Sequence, residues 1–151
     1  MINSLLISST KKSSGKTIIS IGLSGLFNDI GYKVRTFKKG PDFIDPSWLS
    51  LASNRACYNL DFNTMSFSEI TELFSEKSQN MDISIIEGTK GLFDGISIDG
   101  SDSNAQLASL LNCDVLIVID CEGMTRGIAP LLEGYKLFGK ELRLNKVLLN
   151  N

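Results

Sequence analysis

The chain has 151 residues, 42% of them hydrophobic, with a formal net charge of −2 from 15 basic and 17 acidic side chains; that is enough for one domain with its own core and too little for two. Neither sign of charge gathers into a long run, which argues against nucleic acid or an anionic membrane as a partner. The longest apolar stretches, such as Val115 to Ile119, fall far short of the roughly 20 residues a bilayer span needs.

The opening residues lack a basic region followed by an apolar core, so the chain reads as cytoplasmic. Leu5 to Ser8 is a strand-length apolar run, followed by the loop Ser9-Thr10-Lys11-Lys12-Ser13-Ser14-Gly15-Lys16-Thr17. Strand, loop and helix in that order are what a phosphate-binding loop requires, although Thr10 stands where the usual first glycine would be. In such a loop successive backbone N–H groups and a helix N-terminus point at one spot. After it Ile19, Leu23, Leu26, Phe27 and Ile30 share one helical face, and Gly31 is placed to end the helix.

Lys33 to Phe37 reads as the second strand. Asp45-Pro46 then reads as an N-cap with proline at the first helical position, opening a short helix through Ala52. Ser66-Phe67-Ser68-Glu69 is a capping box, and Ile70, Leu73 and Phe74 lie on the helix that follows it. Ile83 to Glu87, Val115 to Asp120 and Val147 to Leu149 supply three more strands, separated by helical patterns over Asn104 to Leu111 and Ile128 to Phe138. Five strands alternating with helices predict an α/β domain over residues 1–151. It is a P-loop NTPase-like, doubly wound, mainly parallel sheet with helices on both faces. No helix follows the final strand, yet parallel strands need cover on both faces. The expectation is therefore the front part of a longer polypeptide, or a chain with a separate partner.

Cys57, Cys113 and Cys121 are widely spaced and odd in number, as buried free thiols are. With no histidine in the chain, imidazole acid–base catalysis, His-ligated zinc and Cys–His nucleophiles are excluded within it.

Ligands of doubly wound sheets bind beyond the carboxyl ends of the strands. The polar residues expected there are the Lys16 loop, Lys38 to Pro46, Glu87 to Gly95 and Asp120 to Arg126. Lys11, Ser13, Ser14, Gly15, Lys16, Thr17 and Ile18 are the candidate nucleotide-binding residues. Lys16 would reach the β- and γ-phosphates, and the Thr17 hydroxyl would hold Mg²⁺. Magnesium takes oxygen ligands and keeps several waters, so one or two carboxylates suffice. Asp45 and Glu87 are the candidates, against the plainer readings of a helix cap and a strand end. Lys38 either joins them or merely flanks its strand. Lys11 either adds a phosphate contact or is a solvated loop charge.

The set T-K-K-S-S-G-K-T, F-K-K-G-P-D-F-I-D-P, N-L-D, I-I-E-G-T-K-G-L-F-D-G, G-S-D-S-N and V-I-D-C-E-G-M-T-R resembles the ATP-binding domain of the cobyrinic acid a,c-diamide synthase family, itself similar to dethiobiotin synthetase. The resemblance implies an ATP- and Mg²⁺-dependent amidoligase: a side-chain acetate of a corrin or related tetrapyrrole is phosphorylated, and ammonia displaces the phosphate. Family members draw that ammonia from glutamine through a glutaminase-like domain, which has no counterpart here, so a glutaminase domain or subunit is an implied partner. A homodimer is compatible with it. By position Lys16, Thr17, Asp45 and Glu87 match the ATP–magnesium residues, and Asp94 a family acid near the substrate carboxylates; with Lys38, the candidate catalytic set is Lys16, Lys38, Asp45, Glu87 and Asp94. Asn150 matches an asparagine that reads adenine, its alternative being a plain loop residue. The rival readings are a switch ATPase of the ParA/MinD partitioning type, which carries a lysine early in this loop, and a nucleotide-binding fragment without ligase activity. The rival ATPase would use a basic tail or patch that this sequence lacks.

Overall fold

The structure, a computed structural model, describes residues 2–150. Six strands form one sheet: β1 (Ser4–Ser9), β2 (Val34–Lys39), β3 (Cys57–Leu60), β4 (Ile83–Glu87), β5 (Asp114–Asp120) and β6 (Arg143–Asn150). Their spatial order is β3-β2-β4-β1-β5-β6, and every pairing is parallel. Five helices connect them: α1 (Lys16–Asp29), α2 (Ile44–Ser53), α3 (Phe67–Ser78), α4 (Asn104–Leu111) and α5 (Ile128–Phe138).

Side chains alternate across a pleated strand, and here the alternation divides the core in two. Leu6, Phe37, Ile86, Ile117 and Ile119 pack with Ile70 and Phe74 of α3 and Leu107 and Leu111 of α4, with α5 adding Leu131 and Tyr135. On the other face Leu5, Ile7, Val34, Ile85 and Val118 meet Ile19, Leu23 and Phe27 of α1. The doubly wound α/β expectation holds. Cover on the second face is incomplete, however, and a groove of about 490 Å³ lined by Leu5, Leu23, Phe27, Leu116 and Leu148 stays open beside β6.

Several local expectations need correction. The sheet has a sixth strand, β3, which has only four residues and buries only Leu60 among them, so its sequence carries little periodic signal. Leu26 of α1 and Ile30 just past its end are 55% and 61% exposed, and the buried face of the helix carries the small Ser20 and Ser24. The cap of α2 is supplied by Asp42, whose Oδ1 accepts from the backbone N–H groups of Ile44 and Asp45 at 2.9 and 3.3 Å. Asp45 therefore lies inside the first turn, with its carboxylate free for other work. The capping box at Ser66 and Glu69 forms as expected. Of the three cysteines, Cys113 is buried, and Cys57 and Cys121 are half-buried.

Candidate functional site

At the carboxyl ends of β1, β2 and β4 the loop 10–15 and the first turn of α1 border a cleft of about 640 Å³. The loop turns sharply through positive φ at Ser13 (59°) and Gly15 (89°). A side chain at Gly15 would be strained there and would also meet Asn150 Nδ2 at 2.6 Å. Asn150 donates to the Ser14 carbonyl at 3.2 Å, so the end of β6 sits against the loop.

Lys16, the first residue of α1, is buried and its ammonium donates to Ser9 Oγ at 2.9 Å. Burial and then the neighbouring Lys38 charge push its pKa below the usual lysine value. The Thr17 hydroxyl donates to Glu87 Oε1 at 2.5 Å and lies 3.5 Å from Asp45 Oδ2. Lys38 is 4% exposed and its Nζ lies 2.5 Å from Asp45 Oδ2 and 2.9 Å from Glu87 Oε1. Burial opposes that charge, yet the two carboxylates outweigh it and hold the Lys38 pKa up. Glu87 is 1% exposed, and burial raises its pKa against the pull of Lys38.

Glu87 Oε2 is buried with no hydrogen-bond partner, an unusual state for a carboxylate oxygen. With Thr17 Oγ1 and Asp45 Oδ2 beside it, the donor set is all oxygen, which suits magnesium chemically. No group of three or more acidic, Cys or His side chains gathers among the described residues, so an ion held here would keep waters.

Ser13, Ser14, Gly15, Thr17 and Ile18 line the cleft, together with Lys12. Lys11 does not. It turns to the end of β5 and pairs with Asp120 at 2.8 Å, 64% exposed, because residues 10–13 carry the two lysines to different sides of the loop. Asp94 lies beyond the cleft, in a second cavity of about 170 Å³ that shares Thr89 and Lys90 with the first.

Residues not expected from the sequence hold the 88–103 segment in place. Asn104, fully buried at the start of α4, accepts from Thr89 N at 3.2 Å. Its amide nitrogen faces Ser8 Oγ at 3.0 Å, the Gly91 carbonyl at 2.9 Å and the Thr89 carbonyl. A Cβ at Gly88 would come within 2.8 Å of Asn104, so glycine is required there. Asp102 accepts from the Ile96 and Ser97 N–H groups at 2.8 and 3.0 Å. Both residues belong to the G-S-D-S-N run, whose polar character alone does not say which backbone groups it will meet.

No protein-family model matches the chain. It is similar to proteins named cobyrinate a,c-diamide synthase: 46% identical over 97% of its length to that of Magnetococcus marinus and 42% over 97% to that of Syntrophotalea carbinolica. It covers 32% of each, so the chain spans about a third of the relatives it matches. Among solved structures it resembles chloroplast FtsY from Physcomitrella patens, with a TM-score of 0.57 and 16% identity, covering 99% of this chain and 50% of that one. It also resembles the hydrogenase maturation factor HypB of Archaeoglobus fulgidus, with a TM-score of 0.50 and 13% identity over 98% and 80%. These likenesses show the P-loop NTPase fold. By sequence, the chain is similar over nearly its whole length to about a third of the length of proteins named cobyrinate a,c-diamide synthase.

Proposed function

We propose that this chain is the ATP-binding amidoligase part of a cobyrinate a,c-diamide synthase, converting acetate side-chain carboxylates of a corrin or related tetrapyrrole to amides. The observation that carries the reading is the convergence of Thr17, Lys38, Asp45 and Glu87 on the phosphate-type loop, with a second cavity holding Asp94 next door. The names of the similar proteins support the substrate class.

In this reading the loop amides and Lys16 bind the ATP phosphates, and Thr17, Asp45 and Glu87 hold Mg²⁺, which neutralises phosphate charge. An acceptor carboxylate oxygen attacks the γ-phosphorus and ADP leaves. Ammonia then attacks the acyl carbon, phosphate leaves with the carboxylate oxygen, and the amide forms. Phosphoryl transfer is mostly alignment and charge neutralisation, so a site of lysines, glycines and carboxylates without histidine is sufficient. Lys38, held by two carboxylates, is placed to keep both in line. Ammonia would come from glutamine through a glutaminase domain or subunit, since none of the three cysteines here has a histidine to pair with.

Incubating the chain with ATP, Mg²⁺, ammonium and cobyrinic acid tests this directly. The expected products are ADP, phosphate and an acceptor whose mass falls as carboxyl OH is replaced by NH₂. ATP hydrolysis that proceeds equally without acceptor or ammonium would instead favour a switch ATPase.

A further inference from the structure

Lys39 is 7% exposed and points to the face of the sheet opposite to Lys38. It lines the 170 Å³ cavity with Lys90, Asp94 and Phe62, and its Nζ lies 5.7 Å from the Phe62 ring centroid. Among the described residues it makes no ion pair and no side-chain hydrogen bond. The two other acids of the cavity are already engaged: Asp61 accepts from Asn63 N, Asn63 Nδ2 and Thr64 Oγ1, and Asp102 from Ile96 N and Ser97 N. Lys90 gives one proton to the Gly95 carbonyl at 3.1 Å and has others to spare. The side chain is largely withdrawn from water while its ammonium faces the cavity without an ion pair or hydrogen bond, which places it to meet an anion there. Burial lowers the Lys39 pKa, and the Lys90 charge adds to that against the pull of Asp102 and Asp61.

The size narrows the ligand. Pockets for whole small molecules run from about 300 Å³ upward, so this cavity takes one small group at the end of something larger. It shares the Thr89–Lys90 wall with the phosphate cleft, so that group is an arm of the acceptor whose neighbouring arm lies at the cleft. We infer that the Lys39 cavity is a carboxylate subsite, in which Lys39 and Lys90 hold a non-reacting carboxylate of the acceptor while another is presented for phosphorylation. This inference rests on the acceptor being a polycarboxylate, as proposed above.

The test labels the chain with ¹³Cε-lysine, assigns Lys39 through Lys39→Met and titrates with succinate. A saturable shift of the Lys39 resonance is expected. No shift, or the same shift with chloride at equal ionic strength, overturns the subsite. In parallel, Lys39→Met should weaken cobyrinic acid binding by about ten- to a hundredfold with ATP affinity kept, and Lys39→Arg should restore part of it. Unchanged cobyrinic acid affinity in Lys39→Met also overturns it. If succinate moves the Lys39 resonance while wild-type chain neither binds nor amidates cobyrinic acid, the subsite stands and the functional reading fails. If Lys39→Met binds and amidates cobyrinic acid as the wild type does, the functional reading stands and the subsite fails.

Discussion

The Thr17 hydroxyl donates to Glu87 Oε1 at 2.5 Å, joining the first turn of α1 to the last residue of β4 across 70 positions of sequence. Glu87 keeps its other oxygen buried and unpartnered beside Lys38. Glu87→Gln removes the charge while keeping the shape. We expect it to stay folded and lose about two orders of magnitude or more of magnesium-dependent turnover. Wild-type rates in this variant, with unchanged Mg²⁺ dependence, would sink the metal assignment.

Lys16 is a desolvated cation whose contact in the free chain is Ser9 Oγ. Lys16→Ala should therefore leave thermal stability unchanged or raise it slightly, since a charge that burial disfavours is gone. ATP binding measured by equilibrium dialysis should weaken by about a hundredfold. A large drop in melting temperature would mean that Lys16 is structural instead.

Asn104 serves four groups from a fully buried position. Asn104→Ala leaves the amide of Thr89 and the carbonyls of Thr89 and Gly91 without their partner, at a cost of about 2–4 kcal/mol. Denaturant unfolding checks the size, and acceptor binding should weaken more than ATP binding because the freed segment carries Asp94. Gly88→Ala should act in the same direction through its 2.8 Å clash with Asn104.

Asp102 supplies a pH dependence. Burial alone would raise its pKa, but the Ile96 and Ser97 amides outweigh it and hold the group below the usual value of 3.8. The folded pKa is depressed, so the contribution is fully present above 3.8 and is lost as pH falls through the lower folded value. Amide hydrogen exchange at Ile96 and Ser97 should accelerate in that acid window, beyond its intrinsic pH trend, and Asp102→Asn should remove the transition. Protection that is independent of pH there would show that the loop is held by other contacts.

Local signals were legible wherever one residue acts on its near neighbours. Ser66 and Glu69 cap α3 three positions apart, and Gly31 ends α1 with a positive φ of 96°. The strand, loop and helix around Lys16 likewise follow from a short stretch. Local patterns failed where two residues competed for one role. Asp42 and Asp45 are both suited to cap a helix, yet the N-cap position falls to Phe43 and the Asp42 carboxylate, one residue earlier, takes the first-turn amides. Lys11 and Lys12 are chemically alike, and only the path of the loop sends the first to Asp120 and the second to the cleft.

By itself the sequence determined the succession of elements, the phosphate-type loop and the residue types available at the strand ends, because each of these depends on contacts within a few positions. Which of those residues meet was decided by the sheet order β3-β2-β4-β1-β5-β6. Placing β4 between β1 and β2 brings Glu87 to Thr17 and Lys38 at once. Strand alternation then sends Lys38 and Lys39, neighbours in the chain, to opposite faces and different cavities. The physical reason is range: propensity and capping act along the chain, whereas pairing and burial act across it.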